Sequence, residues 1–167
     1  MVPIHLIVSD HGWRLLDHEV GLKDLDALRQ RLTVSWEHVT VFPDDNRGAA
    51  PASGSARIAG MVVCPCSMGT VSAIAHGSSR SLVERAADVT LKERRPLILV
   101  PRETPLSLIH LRNLTTIAEA GGTILPAAPG FYHDPQGIDD LVDFVVQRLV
   151  DQMGLESELA PRWNEGV

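Results

Sequence analysis

Apolar positions come in short runs whose spacing alternates between that of strands and that of helices. Residues 2–8, Val-Pro-Ile-His-Leu-Ile-Val, are largely apolar and β-branched and end at Ser9-Asp10, the pattern of a buried strand. Over residues 22–32, Leu22, Leu25, Leu28 and Leu32 recur at helical spacing and predict an amphipathic helix. Residues 39–42 read as a short strand. The stretch 43–56, rich in Asp, Asn, Gly, Ala, Ser and Pro, reads as a loop. The apolar run 58–64 is a further strand, expected to stop at Cys64-Pro-Cys-Ser67 because proline cannot donate to a sheet ladder. A short helix over 69–76 ends at Gly77, a longer one follows over 81–94, and residues 96–100 return to strand.

Thr104-Pro105 has the form of a helix start, Thr as cap and Pro in the first turn, with the helix running to Ala120 before Gly121-Gly122. Its expected buried face is Leu108, Leu111, Leu114, Ile117 and Ala118. Residues 123–125 form a brief strand, and a Pro-, Gly- and aromatic-containing loop follows to residue 135. The last helix spans 138–153, with Ile138, Leu141, Val142, Val145 and Leu149 as its core stripe. The tail after Gly154 is expected to fray. Short strands alternating with helices predict one α/β domain over residues 1–154 with a mostly parallel sheet, residues 155–167 being a tail. In such sheets ligands bind beyond the carboxyl ends of the strands. Residues 64–67, 101–105 and 128–133, each just past a predicted strand, are therefore the places to look for chemistry.

Composition narrows the classes. A chain of 167 residues with 44% apolar content can bury a substantial core, and its formal net charge of -6 provides no broad positive field for nucleic acid or an anionic membrane. Any anion site must be local. Cys64 and Cys66, separated only by Pro65, are too close for an ordinary disulfide and lack the second pair a zinc site needs, which fits a reducing cytoplasm. No apolar run approaches the roughly 18 residues of a membrane span. The start has neither the basic nor the apolar stretch of a signal peptide. None of the seven histidines has metal-ligand spacing, so no metal site is expected.

Five places could carry chemistry, four of them with an ordinary structural alternative. Ser67-Met68-Gly69-Thr70 leaves a strand and opens a helix, so its hydroxyls and N–H groups can meet a phosphate, or simply cap the helix. Arg85 and Lys92, seven residues apart, project from nearly one helix face, either as a cationic stripe or as a solvated surface with an Arg85–Asp88 pair. Arg102 and Glu103 lie between a strand and a helix, suited to anion binding and proton transfer, or merely to the charge pattern of a helix start. Tyr132 and His133 sit in the proline-bounded loop. Arg148 flanks the stripe of the last helix, where it can snorkel or grip a phosphate in bidentate fashion.

Taken in order, Pro65-Cys-Ser-Met-Gly-Thr70, Arg85-Ala-Ala-Asp88, Leu91-Lys-Glu-Arg-Arg-Pro-Leu97, Val100-Pro-Arg-Glu-Thr-Pro-Leu106, Phe131-Tyr-His133 and the run from Asp139 to Gln152 resemble the UbiX-type flavin prenyltransferases. The match is dense over about residues 58–153. The resemblance implies a Rossmann-like, flavodoxin-like sheet with helices on both faces, in a homo-oligomer, often a dodecamer. It implies transfer of a dimethylallyl group from dimethylallyl phosphate to reduced FMN without a metal. The prenylated FMN would serve a UbiD-type decarboxylase as partner. By matching position, Ser9, Ser67, Met68, Gly69, Thr70 and Arg85 would contact FMN. Lys92, Tyr132 and Arg148 would hold the prenyl phosphate with Arg102 beside them, Glu103 would be the acid or base with Lys92 assisting, and Glu19 aligns with a further active-site glutamate. Residues 2–8 match the family's second strand, so the family's first strand, G-x-S-G-A loop and first helix have no counterpart ahead of them. The sheet is therefore expected to lack a central member and to leave neighbouring edges unpaired. Other readings are a non-catalytic FMN-binding subunit that supports a decarboxylase, and a flavoprotein of the phosphopantothenoylcysteine-decarboxylase type. The Lys92-Glu-Arg-Arg-Pro96 and Pro101-Arg-Glu-Thr-Pro105 runs argue against the second.

Overall fold

Five parallel strands carry the fold, and they divide into two sheets. In the computed structural model, which describes residues 2–162, β1 (Ile4–Val8) pairs in register with β2 (Val39–Pro43), Ile4 opposite Val39. The second sheet has the order β3-β4-β5, formed by Met61–Cys66, Leu97–Pro101 and Thr123–Ile124. Helices α1 (Asp10–Val20), α2 (Leu25–Arg31), α3 (Met68–Ala75), α4 (Leu82–Lys92), α5 (Leu108–Glu119) and α6 (Ile138–Gln152) alternate with the strands, as in parallel α/β proteins. Among the described residues β1 and β3 share no ladder, so each keeps one unpaired edge, as expected.

The core lies where β4 is covered on both faces. All five β4 residues are buried, and Leu97 and Leu99 pack with Val63 and Cys66 of β3, Val71 and Ile74 of α3, Ala87 of α4 and Ile117 of α5. This is the continuous apolar strand of a doubly covered parallel sheet. A smaller cluster of Leu82, Ala49 and Ala52, with Ile7 and Phe42 packed against it, ties the β1–β2 pair to the start of α4. Asp44, just past β2, reinforces the tie. Its backbone carbonyl accepts from Leu82 N at 2.6 Å and its Oδ1 from Val83 N at 2.9 Å.

Several expectations need correction. No β1 residue is buried, because β1 has a strand on one side only. The helix expected over 22–32 is the shorter α2, capped by Asp24, because Leu22 belongs to the end of α1: left-handed Gly21 turns the chain and Leu22 N bonds to Leu16 O. Helix α1 itself was not anticipated. Strand β3 does not stop at Cys64. A register irregularity between Val63 and Cys66 absorbs the proline, and Cys66 pairs again, opposite Pro101. Helix α5 starts three residues later than expected, because Ser107 and His110 form a reciprocal capping box, whereas Thr104 lies ahead of it. Of the α5 face only Ile117 is buried, and Leu108 and Leu111 are exposed. On α6, Ile138 is 77% and Val142 51% exposed, and the buried residue is Gln147. Among the described residues no layer covers Leu108, Leu111, Ile138 or Val142. The expected fraying does not hold through Arg162: Leu159 N donates to Gln147 Oε1 at 2.7 Å, folding the tail onto α6. Residues 163–167 lie outside the described residues.

Candidate functional site

At the carboxyl end of β3 the chain turns at Ser67, whose extended backbone ends the strand and whose side chain caps α3. Ser67 Oγ accepts from Thr70 N at 3.2 Å and lies 3.0 Å from Thr70 Oγ1. Buried Met68 anchors the turn from below. Above it the surface is open: a methyl group built on Gly69 would meet nothing closer than Ser67 Oγ, at 3.7 Å. Two exposed hydroxyls and the N–H groups of a first helical turn thus face outward where the helix dipole is positive, an arrangement suited to an anion.

Register places the next residues beside this turn. Cys66 is paired with Pro101, so Arg102 and Glu103 leave β4 at the same sheet edge at which Ser67 leaves β3. Both are exposed, and Glu103 Oε1 accepts from Thr104 N at 3.1 Å. They line a hollow of about 330 Å³ with Pro101, Thr104 and residues 126–128. That wall is held by Leu125 N to Leu99 O and Ala127 N to Pro101 O. Ser9 occupies the equivalent place after β1, where its Oγ accepts from Gly12 N at 3.0 Å and caps α1. Arg85, in the first half of α4, pairs with Asp88 at 2.9 Å, so the ion pair weighed against a functional role is formed.

The other cations lie elsewhere. Lys92 ends α4 at the amino end of β4, where its Nζ pairs with the Glu93 carboxylate. Lys92 holds the Glu93 carboxyl below the ordinary carboxylate range. Arg95 Nη2 donates to Gly54 O at 2.6 Å, and a methyl group on Gly54 would collide with Glu93 and Lys92. A five-residue strand at about 3.3 Å per residue separates Lys92 from Arg102 by roughly 16 Å. One chain therefore does not gather Lys92 and Arg102 around one phosphate. Arg148 lies on α6, whose end meets the amino end of β3 through Met153 beside Gly60. Tyr132, exposed, stands edge-on to Phe144 of the same helix and to His133. Glu19 is exposed near the end of α1, ten residues and about 15 Å of helix from Ser9, so the structure does not bring these two together.

Sequence reasoning passed over Asp151. Its carboxylate accepts from Gln147 Nε2 at 2.9 Å, from Arg148 Nη1 at 3.1 Å and from both Nη atoms of Arg162, at 3.3 and 2.8 Å. The i,i+3 and i,i+4 spacings to Arg148 and Gln147 were readable signals, but Arg162 is eleven residues away. Arg162, then Gln147, hold the Asp151 carboxyl below its usual range. Among the described residues no group of three His, Cys, Asp or Glu is placed to hold a metal ion, and no helix is long and apolar enough to cross a membrane.

Residues 1–150 match the sequence model of the Flavoprotein family. A flavin prenyltransferase UbiX of Pseudomonas aeruginosa is 56% identical over 127 residues, which cover 76% of this chain and 61% of that protein; the chain thus spans about three fifths of that relative's length. Among solved structures, a UbiX crystallised with FMN and dimethylallyl pyrophosphate superimposes with a TM-score of 0.89 at 40% identity, covering 98% of this chain and 83% of the other. A dodecameric FMN-dependent UbiX-like decarboxylase of Escherichia coli O157:H7 gives a TM-score of 0.86 at 40% identity, covering 96% and 83%.

Proposed function

The chain belongs to the UbiX-type flavin prenyltransferases within the Flavoprotein family, and on that premise we propose that it moves a dimethylallyl group from dimethylallyl phosphate onto reduced FMN. The carrying observation is the Ser67–Thr70 hydroxyl pair on the open first turn of α3, with Arg102 and Glu103 at the same sheet edge. That turn fits a flavin: small side chains leave room, and donors face outward at a positive helix end. Ser67, Met68, Gly69 and Thr70, with Ser9 and Arg85, would hold FMN, which when bound and reduced supplies the electron-rich ring for the prenyl carbon. Lys92, Tyr132 and Arg148, with Arg102, would hold the donor's phosphate. As the C–O bond breaks, charge builds on the phosphate oxygens, and cations fixed there stabilise the transition state more than the bound donor. The Glu103 carboxylate, oriented by the Thr104 N–H, would exchange the proton beside the departing phosphate, and Glu19 would be a further acidic group.

Because Lys92 and Arg102 occupy opposite ends of β4 in one chain, the phosphate cage would be completed between copies in a homo-oligomer, as dodecameric as the E. coli neighbour. Prenylated FMN would pass to a UbiD-type decarboxylase. Anaerobic incubation with reduced FMN and dimethylallyl phosphate should yield a flavin heavier by one prenyl group in the mass spectrum. Recovery of unmodified FMN from folded protein would overturn this reading. The division into two sheets favours one second reading, a flavin-binding subunit without turnover, which FMN retained but unchanged would support.

A further inference from the structure

The Arg148 side chain on α6 is 54% exposed, yet one end of its guanidinium is already held. Its Nη1 donates to Asp151 Oδ2, and the side chain of Asp151 is only 16% exposed because residues 155–162 fold back over it. The strap is bonded at two points: Leu159 N to the buried Gln147 Oε1, and Arg162 to both Asp151 oxygens. Gln147 also donates its Nε2 to Asp151 Oδ1, so one amide joins strap and carboxylate. An isolated surface pair at i,i+3 would contribute little. Here the carboxylate is fixed by three side chains, and fixing it fixes the direction in which Arg148 presents its remaining donors.

We propose that Asp151 is a positioning residue for the phosphate of the prenyl donor: it aims the Arg148 guanidinium, and the strap formed by Leu159 and Arg162 fixes Asp151 in turn. This rests on the reading of Arg148 as a phosphate ligand. It makes a prediction whose sign separates it from simple charge attraction. Replacing Asp151 by Asn removes a negative charge next to an anion site, which by Coulomb attraction alone would tighten donor binding. Loss of aim weakens it instead.

The test is KM and kcat for dimethylallyl phosphate, with saturating reduced FMN, for the unaltered chain and for Asp151→Asn, Asp151→Glu, Arg162→Gln and Arg148→Ala. Asp151→Asn is expected to raise KM and to lower kcat as well, for a loss of at least about tenfold in kcat/KM, the worth of one hydrogen bond to a charged group. Asp151→Glu should recover part of the loss. In the Arg148→Ala background Asp151→Asn should add nothing, because the residue it positions is gone. An unchanged or lowered KM in Asp151→Asn overturns the proposal. If Asp151→Asn fails to fold, Arg162→Gln decides: it loosens the strap while leaving both α6 partners, and a rise of about threefold is expected, whereas no rise overturns. A chain that does not turn the donor over, or whose Arg148→Ala variant keeps its KM, refutes the assignment of Arg148 itself and the proposal with it.

Discussion

Cys66 lies between a proline and the Ser67 cap, so its side chain points into the core formed by β3, α3 and β4. Burial, with Cys64 adding to it, pushes its thiol up to about 12. Cys64 is also raised by burial, but it reaches solvent. A thiolate is the reacting form, so Cys66 stays protonated and inert at any ordinary pH. A thiol-exchange reagent at pH 8 should therefore titrate one group per chain, slowly, and a second only after denaturation. Labelling of Cys66 in the native protein, located by peptide mass mapping, would contradict this packing. Ser67 itself was legible in the sequence, because a helix cap and an anion site both require a hydroxyl at a strand-to-helix turn. That Cys66 rejoins the sheet beyond Pro65 was not, since proline chemistry alone argues for a stop and only the register with Pro101 restores the pairing.

Helix α4 joins the two sheets. Its middle packs Ala87 into the main core, and its first residue, fully buried Leu82, packs against Ala49, Ala52, Ile7 and Phe42. Leu82→Ala should cost about 2–5 kcal/mol, as large-to-small core changes do. Because Leu82 bridges the two sheets, the loss should appear first as faster amide exchange in β1 and β2, with β4 protected longer. Uniform exchange across both sheets would mean that the pair is held by something else. The strands were readable from their apolar runs, since a strand's period of two and its end signals are local. Helix faces were less so. The periodicity of α5 and α6 is real, but a stripe is buried only where another layer covers it, and among the described residues Ile138, Val142, Leu108 and Leu111 meet none.

For the molecule as a whole, those uncovered stripes and the separation of Lys92 from Arg102 point the same way. Light scattering of the FMN-loaded protein should give a mass several times 18.2 kDa, and Ile138→Asp on α6 should lower it by placing a charge on an apolar contact. A monomer retaining full prenyl transfer would contradict a cage shared between copies.

The sequence alone determined the alternation of strands and helices, the parallel α/β class and the residues that stand at strand ends, because periodicity, caps and turns act over a few positions. It also carried the ordered motifs from Pro65 to Gln152 by which the family is recognised. Only the tertiary structure decided which charged groups of one chain come together and which stay apart. Helix α4 runs antiparallel to β4, so Lys92 and Arg102, ten residues apart, face opposite ends of the sheet. It likewise decided that Arg162 returns to Asp151, since a contact closed by a folded-back tail has no local period to announce it.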